Sequence, residues 1–359
     1  MADPTPVLLE FTPDGAAGGV ASDLSAAAQI GTDLWLGTDE GTSVARLSPR
    51  GPGHYGGHIA FPLGGCLDLP GGDEEEIDVE GLAAADGYLW LAGSHSPRRS
   101  EADPESPAHD PARQLRRLGK VKRAGNRYLL ARGPLEPGET GDAPRARTAD
   151  GRRASRLPGG RRRNALTDLL AEDEHLGPFL RIPGKDNGFN IEGLAVAGER
   201  VWLGLRGPVL RGWAVILVVA PEPEPDDAGA LRLARVDGRK RRYHKLFLDL
   251  HGLGIRDLHL DGPDLLILAG PTMALDSDAV VLRWRDALGI RGDTLLPRDR
   301  FERVLELPYG AGSNESIDHP EGIAVLEAGR EKSLLVVYDS PGPARRRGQA
   351  GVLADCFRL

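Results

Sequence analysis

A Glu-Gly pair followed by a short apolar run occurs at three distant points of the chain: DVEGLAA at 78–84, NIEGLAV at 190–196 and HPEGIAV at 319–325. Two further segments share this layout with the glutamate replaced, DLSAAAQ at 23–29 and IRDLHLD at 255–261. We align Ser25 and Asp257 with the glutamates of the other copies. Self-similarity at intervals of tens of residues indicates a repeat architecture in which each copy contributes one supersecondary unit.

The residues after each copy predict strands. Every copy continues into a second strand-like run, such as YLWLAGS at 88–94 and RVWLGLR at 200–206, and then into further strands. The last copy ends at its third strand, which leaves the apolar run PVLLEFT at 6–12 to supply the fourth. Antiparallel four-stranded units repeated around a closed ring are typical of a β-propeller. We therefore predict one all-β domain over the whole chain, a five-bladed propeller closed by an N-terminal strand that completes the last blade.

The second copy is followed by a longer stretch than the others. The interval from Glu80 to Glu192 is 112 residues, against 65 and 64 for the next two intervals. We place the third strand of this blade at LGKVKRA (118–124) and its fourth at PFLRIPG (178–184). Residues 134–175 should then form an inserted loop rich in Arg, Pro and Gly that ends in a short amphipathic helix. A sixth blade in this interval and a division into two β domains remain open alternatives.

The composition excludes several classes of protein. The formal net charge is −8, so general attraction to nucleic acid is not expected. Two cysteines do not provide a disulfide framework, and no apolar run is long enough to predict a membrane span. The first residues, MADPTPVLLEF, lack the features of a secretory signal. We expect a cytoplasmic protein whose partner is a small molecule or another protein, without nucleic acid or membrane.

The topology of a propeller indicates where a functional site should lie. The first strand of each blade lines the central channel, and the loop after the second strand returns to the same end, so both should border one polar pocket. Motif side chains there are candidate metal or ligand contacts: Glu80, Glu192, Asp257, Glu321, Asp78, Asp23 and Asn190. Further candidate ligand contacts come from the loops and nearby positions: Arg98, Arg206, Asp39, His319 and Asp339.

Several carboxylates at one mouth repel each other unless positive charge compensates them. A divalent cation that prefers oxygen ligands, calcium or magnesium, is one solution, and ion pairs with arginines such as Arg206 and Arg256 are another. In both cases Glu80, Glu192 and Glu321 should be buried. In a third interpretation the motif only punctuates the blades: the glycine permits a tight turn and the glutamate accepts from nearby backbone amides.

Two residues are candidates for catalysis. His95 lies in the loop after the second strand of its blade, and an imidazole titrates near neutral pH. Glu80 combines a motif position with a carboxylate that can bind a cation or carry a proton. The neighbouring serines in GSHS at 93–96 do not make a catalytic triad by adjacency alone, so His95 remains open to a purely structural interpretation.

The segments TDEG at 38–41, IDVEGL at 77–82 and GSHSPRR at 93–99 resemble those of a bacterial domain family of unknown function, the one numbered 3616, and the resemblance extends over nearly the whole chain. The Glu-Gly-Leu-Ala signature is more distantly similar to that of esterase-like phytase propellers, and gluconolactonase-type propellers use a motif glutamate as an axial metal ligand. The resemblance implies a propeller and a metal-dependent hydrolase. We expect hydrolysis of phosphate or carboxylate esters, with a non-enzymatic module that binds a small anionic ligand or a protein as the alternative.

Overall fold

The computed structural model describes residues 4–17, 19–103, 110–238, 240–273, 275, 277–307, 318–329 and 331–359 of the chain. Strands dominate the described residues. None of the described helices has both the length and the apolar character that crossing a membrane requires.

The strands form successive antiparallel units, which we interpret as blades 1 to 5 in chain order. Each starts with an inner strand that carries one copy of the repeat: Leu24–Ile30, Val79–Ala85, Asn190–Ala197, Gly254–Asp261 and His319–Ala328. The second strands are Asp33–Thr38, Tyr88–Gly93, Arg200–Leu210, Asp264–Gly270 and Glu331–Asp339. The third strands are Ser43–Gly51, Leu130–Gly138, Trp213–Val219, Ala279–Trp284 and Gly351–Arg358. The fourth strands are His54–Pro62, Ser155–Arg156, Tyr243–Asp249, Phe301–Leu307 and, in blade 5, Thr5–Glu10.

The inner strands contact one another in a closed circuit, in chain order and from the last back to the first. Apolar side chains from facing sheets fill the space between consecutive blades. Trp35, Trp90 and Trp202, at matching places in three second strands, are buried in these layers. Trp202 meets Trp284 of the next blade edge to face, with ring centroids 5.9 Å apart. This arrangement is a β-propeller, and the predicted fold class is confirmed.

The ends of the chain close the ring. Thr5–Glu10 pairs antiparallel with Gly351–Arg358, in register from Thr5 opposite Cys356 to Glu10 opposite Gly351. Val7 and Leu9 of this strand are buried. The N-terminal strand thus covers an edge that would otherwise expose unpaired backbone groups, which confirms the predicted closure.

Blade 2 departs from the predicted strand positions. Residues 118–124 hold the end of the helix Pro111–Leu118 and the two-residue strand Val121–Lys122 instead of a third strand. Val121 is 43% exposed, so this segment offers no apolar side to bury. The third strand lies at Leu130–Gly138, where Leu130 and its neighbours are buried. Burial of an apolar face, which strand periodicity alone does not reveal, decides between the two segments.

Residues 134–175 are likewise not a loop outside the propeller, which corrects that expectation. The first of them end the third strand, and Ser155–Arg156 pairs with that strand as the fourth. A short helix is present at Ala165–Leu170, and Asn164 caps it by accepting from the backbone N–H groups of Leu166 and Thr167. The predicted fourth strand at 178–184 is replaced by short 3-10 turns. Blade 2 instead carries two excursions in its sequence: 94–129 precedes its third strand, and 157–189 follows its fourth strand.

Shorter elements complete the described part of the chain. They include the helix Pro13–Ala17 and the strands Arg98–Arg99, Gly141–Pro144, Gly159–Gly160, Arg163–Asn164, Pro221–Glu224, Asp227–Leu233, Thr294–Leu296 and Arg346–Arg347. Single 3-10 turns lie at Leu63–Gly65, Asn126–Tyr128, Gly177–Phe179, Gly184–Asp186, Val236–Gly238, Ala287–Gly289 and Arg298–Arg300.

Candidate functional site

The repeat begins at one end of the channel in every blade. The outermost antiparallel partners at this end are Leu24 with Thr38, Val79 with Gly93, Asn190 with Gly207, Gly254 with Gly270, and His319 with Asp339. The motif and the loops after the second strands therefore share one face, as predicted. We call this face the mouth.

A break in register lies directly inside the mouth in all five blades. The pairing of inner and second strands skips one inner-strand residue per blade: Ser25, Glu80, Glu192, Arg256 and Glu321. A bulged residue has no partner in the ladder, so the strand can re-aim its side chain. We call these five residues the bulge ring. The repeated glutamate is thus the bulge residue of its blade.

Blade 4 corrects our alignment of the repeat. Arg256 occupies the position of the motif glutamate, and Asp257 stands at the position of the motif glycine. The Asp257 carboxylate accepts from the backbone N–H of Leu258 at 2.7 Å and from that of Ile323, in blade 5, at 2.8 Å. Burial raises its pKa well above the usual range. Asp257 joins two inner strands and was wrongly assigned to the glutamate position.

The motif glycines do not form tight turns, which corrects the punctuation interpretation. Gly81, Gly193 and Gly322 are absent from the residues with positive φ. A Cβ on Gly81 would lie 2.5 Å from the Cβ of Leu194, and one on Gly193 would lie 3.0 Å from the backbone nitrogen of Leu258. Both neighbours belong to the next inner strand. The glycine is required because adjacent blades approach too closely for a side chain.

Two of the motif glutamates are neutralised by arginines. Glu192 Oε1 accepts from Arg206 Nη1 at 2.8 Å and from Asn190 Nδ2 at 2.8 Å. Glu192 Oε2 lies 3.1 Å from Arg256 Nε, and Arg256 Nη2 contacts Glu321 Oε1. All five side chains are buried. This half of the mouth is an internally compensated network of charge-assisted contacts.

The third motif glutamate has a different environment. One carboxylate oxygen from each of Asp39, Asp78 and Glu80 lies within 4.8 Å of the others. Asp78 Oδ2 lies 2.7 Å from Arg127 Nη2. Glu80 is only 7% exposed, yet it has no hydrogen bond or ion pair with any described residue. Asp39 Oδ1 is also buried without a hydrogen-bond partner in the described part of the chain. We call Asp39, Asp78 and Glu80 the acidic cluster.

The acidic cluster has perturbed proton affinities. Burial raises the pKa of Glu80 well above its usual range, the charges of Asp39 and Asp78 raise it further, and the charge of Arg127 opposes them. Burial and the charge of Asp78 do the same to the pKa of Asp39. Such carboxyl groups retain protons unless a cation replaces them. Two oxygens that bind one calcium ion at about 2.4 Å lie at most about 4.8 Å apart, so the cluster has the dimensions of a cation site.

The remaining polar residues of blades 1 and 5 lie beside the acidic cluster, and the backbone N–H of Asp39 donates to the carbonyl oxygen of Asp23 at 3.1 Å. Asp23 and Asp339 form an isolated backbone bridge, and burial raises the pKa of Asp23. His319, Glu321 and Asp339 each offer one ligand atom within 4.8 Å of the others. Glu321, however, is already in contact with Arg256. This second group is therefore less free to bind a cation than the acidic cluster.

His95 does not line either of the two cavities at the mouth, which border the acidic cluster. Its Nδ1 lies 2.7 Å from the carbonyl oxygen of Gly93, and its Nε2 lies 2.8 Å from Asn164 Nδ2. A proton assigned to Nδ1 lets the ring donate to Gly93 and accept from Asn164. Burial lowers the pKa of His95 to about 4. The neutral ring joins the second excursion of blade 2 to the start of the first, next to the end of the second strand, a geometry that supports a structural role.

Two cavities open at the mouth beside the acidic cluster. The larger, of about 740 Å³, is bordered by basic side chains of the excursion at 94–129 and by five acidic residues: Asp39, Glu40, Glu76, Asp78 and Glu101. The second, of about 460 Å³, reaches inward to Glu80. Arg98 lines both cavities. A solute in these cavities would touch both carboxylates and guanidinium groups.

Sequence reasoning missed two basic residues at this site. Arg127 pairs with Asp78, and Lys185 faces the cluster closely enough to lower the pKa of Asp39 against the opposing effect of burial. Both lie in the excursions of blade 2, which carry no repeat signal. The position of Arg256 was detectable, because aligning the leucine of IRDL with that of VEGL places the arginine over the glutamate.

A family model described as "Protein of unknown function (DUF3616)" matches residues 23–355. No protein with curated information matches the chain. Similar solved structures include a glutaminyl cyclase from Myxococcus xanthus, with 12% identity and a TM-score of 0.42 over 100% of this chain and 97% of that one. The PQQ-bound aldose sugar dehydrogenase from Streptomyces coelicolor has 14% identity and a TM-score of 0.37 over 99% of both chains. A GH43 β-1,3-galactosidase has 10% identity and a TM-score of 0.39 over 94% of this chain and 90% of that one.

Proposed function

Since the chain belongs to the DUF3616 family of proteins of unknown function, we propose a function from the site itself. The protein is a hydrolase of phosphate esters that depends on a divalent cation, calcium or magnesium. Asp39, Asp78 and Glu80 bind the cation, and basic side chains around the mouth bind the phosphate group.

The observation that carries this proposal is the largely buried carboxylate of Glu80, which forms no hydrogen bond or ion pair with a described residue. A charged group that is removed from water without a partner costs several kcal/mol or more, so proteins rarely retain one without use. Glu192 and Glu321, at the same position in other blades, are compensated by Arg206 and Arg256. The contrast within one ring of equivalent positions supports a ligand at Glu80, and a hard cation prefers oxygen ligands of this kind.

The basic residues next to the cluster support a phosphate ester as the substrate. Arg98 borders both cavities, and its ion-pair contact with Glu40 is long, at 4.0 Å between half-exposed side chains. Such a surface pair is weak, which leaves the guanidinium group available for a phosphate oxygen. Arginine matches the oxygens of a phosphate in a two-pronged geometry.

Each group at the site has a separate role in hydrolysis. The reaction breaks the P–O bond to the alcohol, transfers the hydroxyl group of water to phosphorus and gives the proton to the alcohol. A bound cation supplies charge stabilisation of the phosphoryl group. Arg98 holds the ester against the cluster, where Glu80 is 7% exposed. With His95 committed to Gly93 and Asn164, no role in proton transfer is assigned to it.

The test combines cation binding with turnover. We expect calcium or magnesium to raise the melting temperature of the chelator-treated protein and to permit release of p-nitrophenol from p-nitrophenyl phosphate. Glu80→Gln should weaken the cation response about 10- to 100-fold, the effect of losing one charged contact. Glu199→Gln is the matched control, because Glu199 is exposed at the other end of blade 3. Unchanged melting with every cation tried would refute the proposal.

The basic lining of the larger cavity favours one alternative, a module that binds small anions without turnover. The two functions separate in the same experiment. Cation and phosphate binding without release of p-nitrophenol, from either the phosphate or the acetate ester, would identify a binding module. Release from p-nitrophenyl acetate alone would identify a carboxylate esterase.

A further inference from the structure

The larger cavity has a wall that the proposed reaction does not use. It is built by described residues of the excursion, within 98–101 and 113–127, and carries four basic side chains that we call the basic wall: Arg113, Arg117, Lys120 and Lys122. All four are exposed. None forms an ion pair or a side-chain hydrogen bond with a described residue. They border the same cavity as Asp39 and Asp78 of the acidic cluster.

Three other basic residues around this cavity, besides the Arg98 assigned to the ester, have acidic partners. Arg99 Nε donates to Asp186 Oδ2 at 2.7 Å, and Arg116 lies 3.6 Å from Asp110. Arg127 is paired with Asp78. Among the described residues, the basic wall therefore differs from these three by forming no ion pair, although Glu40, Glu76 and Glu101 border the same cavity. Like charges gathered without partners favour an anion between them.

The basic wall is held in place by the chain itself. Asp110 caps the helix Pro111–Leu118 by accepting from the N–H of Ala112 at 3.0 Å. Gln114, which is buried, accepts from the N–H of Asp103 at 2.9 Å. Arg99 Nη1 donates to the carbonyl oxygen of Leu118 at 2.7 Å. These bonds fix the backbone that carries the wall and need no ligand, so the charges are arranged before an anion arrives.

We infer that the basic wall is a second anion subsite, and that the substrate carries a second phosphate group besides the ester that reacts. This inference rests on the proposed function for the identity of the reacting group. The substrate class is a bisphosphorylated small molecule, with one phosphate at the acidic cluster and one at the wall. Arginine and lysine together supply charge-assisted bonds to phosphate oxygens. No aromatic side chain is among the described residues that line the cavity, which disfavours the base stacking of a nucleic-acid strand.

The test uses inorganic pyrophosphate as the probe and the full chain without divalent cations, because pyrophosphate itself chelates them. Isothermal titration calorimetry should show pyrophosphate binding that weakens as salt is added. The double variant Lys120→Ala/Lys122→Ala should bind about ten-fold more weakly or worse, since two charge-assisted contacts are lost. Arg242→Ala is the matched control: it removes one exposed positive charge next to Tyr243–Asp249, at the end of blade 3 opposite the mouth. Equal affinity of the double variant and the wild type would overturn the inference, as would the absence of pyrophosphate binding.

The failure of this inference and the failure of the proposed function are distinguishable. Glu80→Gln should leave pyrophosphate binding to the cation-free protein within about two-fold, while it removes the response to calcium. The wall variant should keep the calcium response and the turnover of p-nitrophenyl phosphate, which has a single phosphate. Loss of pyrophosphate binding in Glu80→Gln alone would place the anion at the acidic cluster and refute the subsite at the wall.

Discussion

Replacing Glu80 with glutamine should stabilise the cation-free protein at neutral pH, even though the residue is buried. The carboxylate forms no hydrogen bond or ion pair with a described residue, and its neighbours in the cluster are also acids. The charge of Arg127 offsets only part of their effect on the pKa of Glu80. Glutamine keeps the size of the side chain and removes its charge. The substitution therefore relieves repulsion without opening a cavity.

The magnitude follows from the geometry of the acidic cluster. Two unit charges 4.8 Å apart repel by about 3 kcal/mol at an effective dielectric constant of about 20. The raised pKa values of Asp39 and Glu80 mean that part of this repulsion is avoided by proton uptake. We expect a gain of about 1–2 kcal/mol in the free energy of unfolding at pH 7.5 without cations.

The sign of the pH dependence is fixed by the direction of the shift. Because the pKa of Glu80 is raised in the folded state, the folded chain holds this proton after the unfolded chain has lost it. The resulting stability is present below the unfolded pKa and is lost as the pH rises through the folded value. The gain from Glu80→Gln should therefore be large at pH 7.5 and nearly absent at pH 4.

The matched comparison is Glu192→Gln, the same change at the same bulge position of another blade. Glu192 is bonded to Arg206 and lies against Arg256, so loss of its charge leaves the buried Arg206 without a carboxylate partner and Arg256 with Glu321 alone. A destabilisation of about 3–5 kcal/mol is expected. The two substitutions should thus have opposite signs in the absence of cations.

Urea unfolding of both variants with chelator, at pH 4 and pH 7.5, and then with calcium, is the decisive measurement. Calcium should stabilise the wild type at pH 7.5 and reverse its order with Glu80→Gln. If Glu80→Gln lowers the free energy of unfolding in chelator by as much as Glu192→Gln does, the carboxylate is held by bonds that this reasoning omits, and the assignment of the cluster is refuted.

Three further predictions concern the frame of the site. Arg256→Met should destabilise the protein by about 3–5 kcal/mol, and the added change Glu321→Gln should recover part of that loss in urea unfolding; an additive loss would show that the pair is not coupled. Gly193→Ala should cost about 1–3 kcal/mol through overpacking against the next inner strand, equally with and without calcium; a calcium-dependent cost would contradict the packing role. Deletion of residues 1–10 should remove the burial of Val7 and Leu9 and cost several kcal/mol, seen as a lower melting temperature or as aggregation on a sizing column; melting like the full chain would contradict closure by this strand.

The repeat allowed most of the fold to be predicted, because inner strands, second strands and closure all follow from apolar runs at similar spacing. The misalignment of Asp257 shows the limit of that approach. Asp257 was aligned with the motif glutamates because it is acidic, although this shifted Leu258 away from the motif leucine. Packing between blades requires the leucine, whereas the bulge residue can vary. The excursions of blade 2 were misplaced because their order depends on single bonds, such as those of Asn164 and His95, that leave no periodic pattern. The partnership of Arg127 with Asp78 was invisible for the same reason.

The burial of Glu80, Glu192 and Glu321 was predicted correctly, and their division into compensated and uncompensated members was not. That division depends on which neighbour at the mouth is an arginine, and this is a property of the assembled ring. No stretch of sequence around one motif contains it, since Arg256 lies in a different blade from either glutamate that it contacts.

The bulge ring separates the framework of this protein from its chemistry at the scale of a single residue. The ring residue makes no ladder bond, while the residue that follows it, a glycine in three blades and Asp257 in blade 4, maintains the spacing between inner strands. In blade order the bulge ring has the composition Ser-Glu-Glu-Arg-Glu, and its side chains can vary without changing the strand pairing that supports them. A relative with different residues in the bulge ring would keep the propeller and present a different set of charges to its solute. Divergence of specificity should therefore be sought at this one position in each blade.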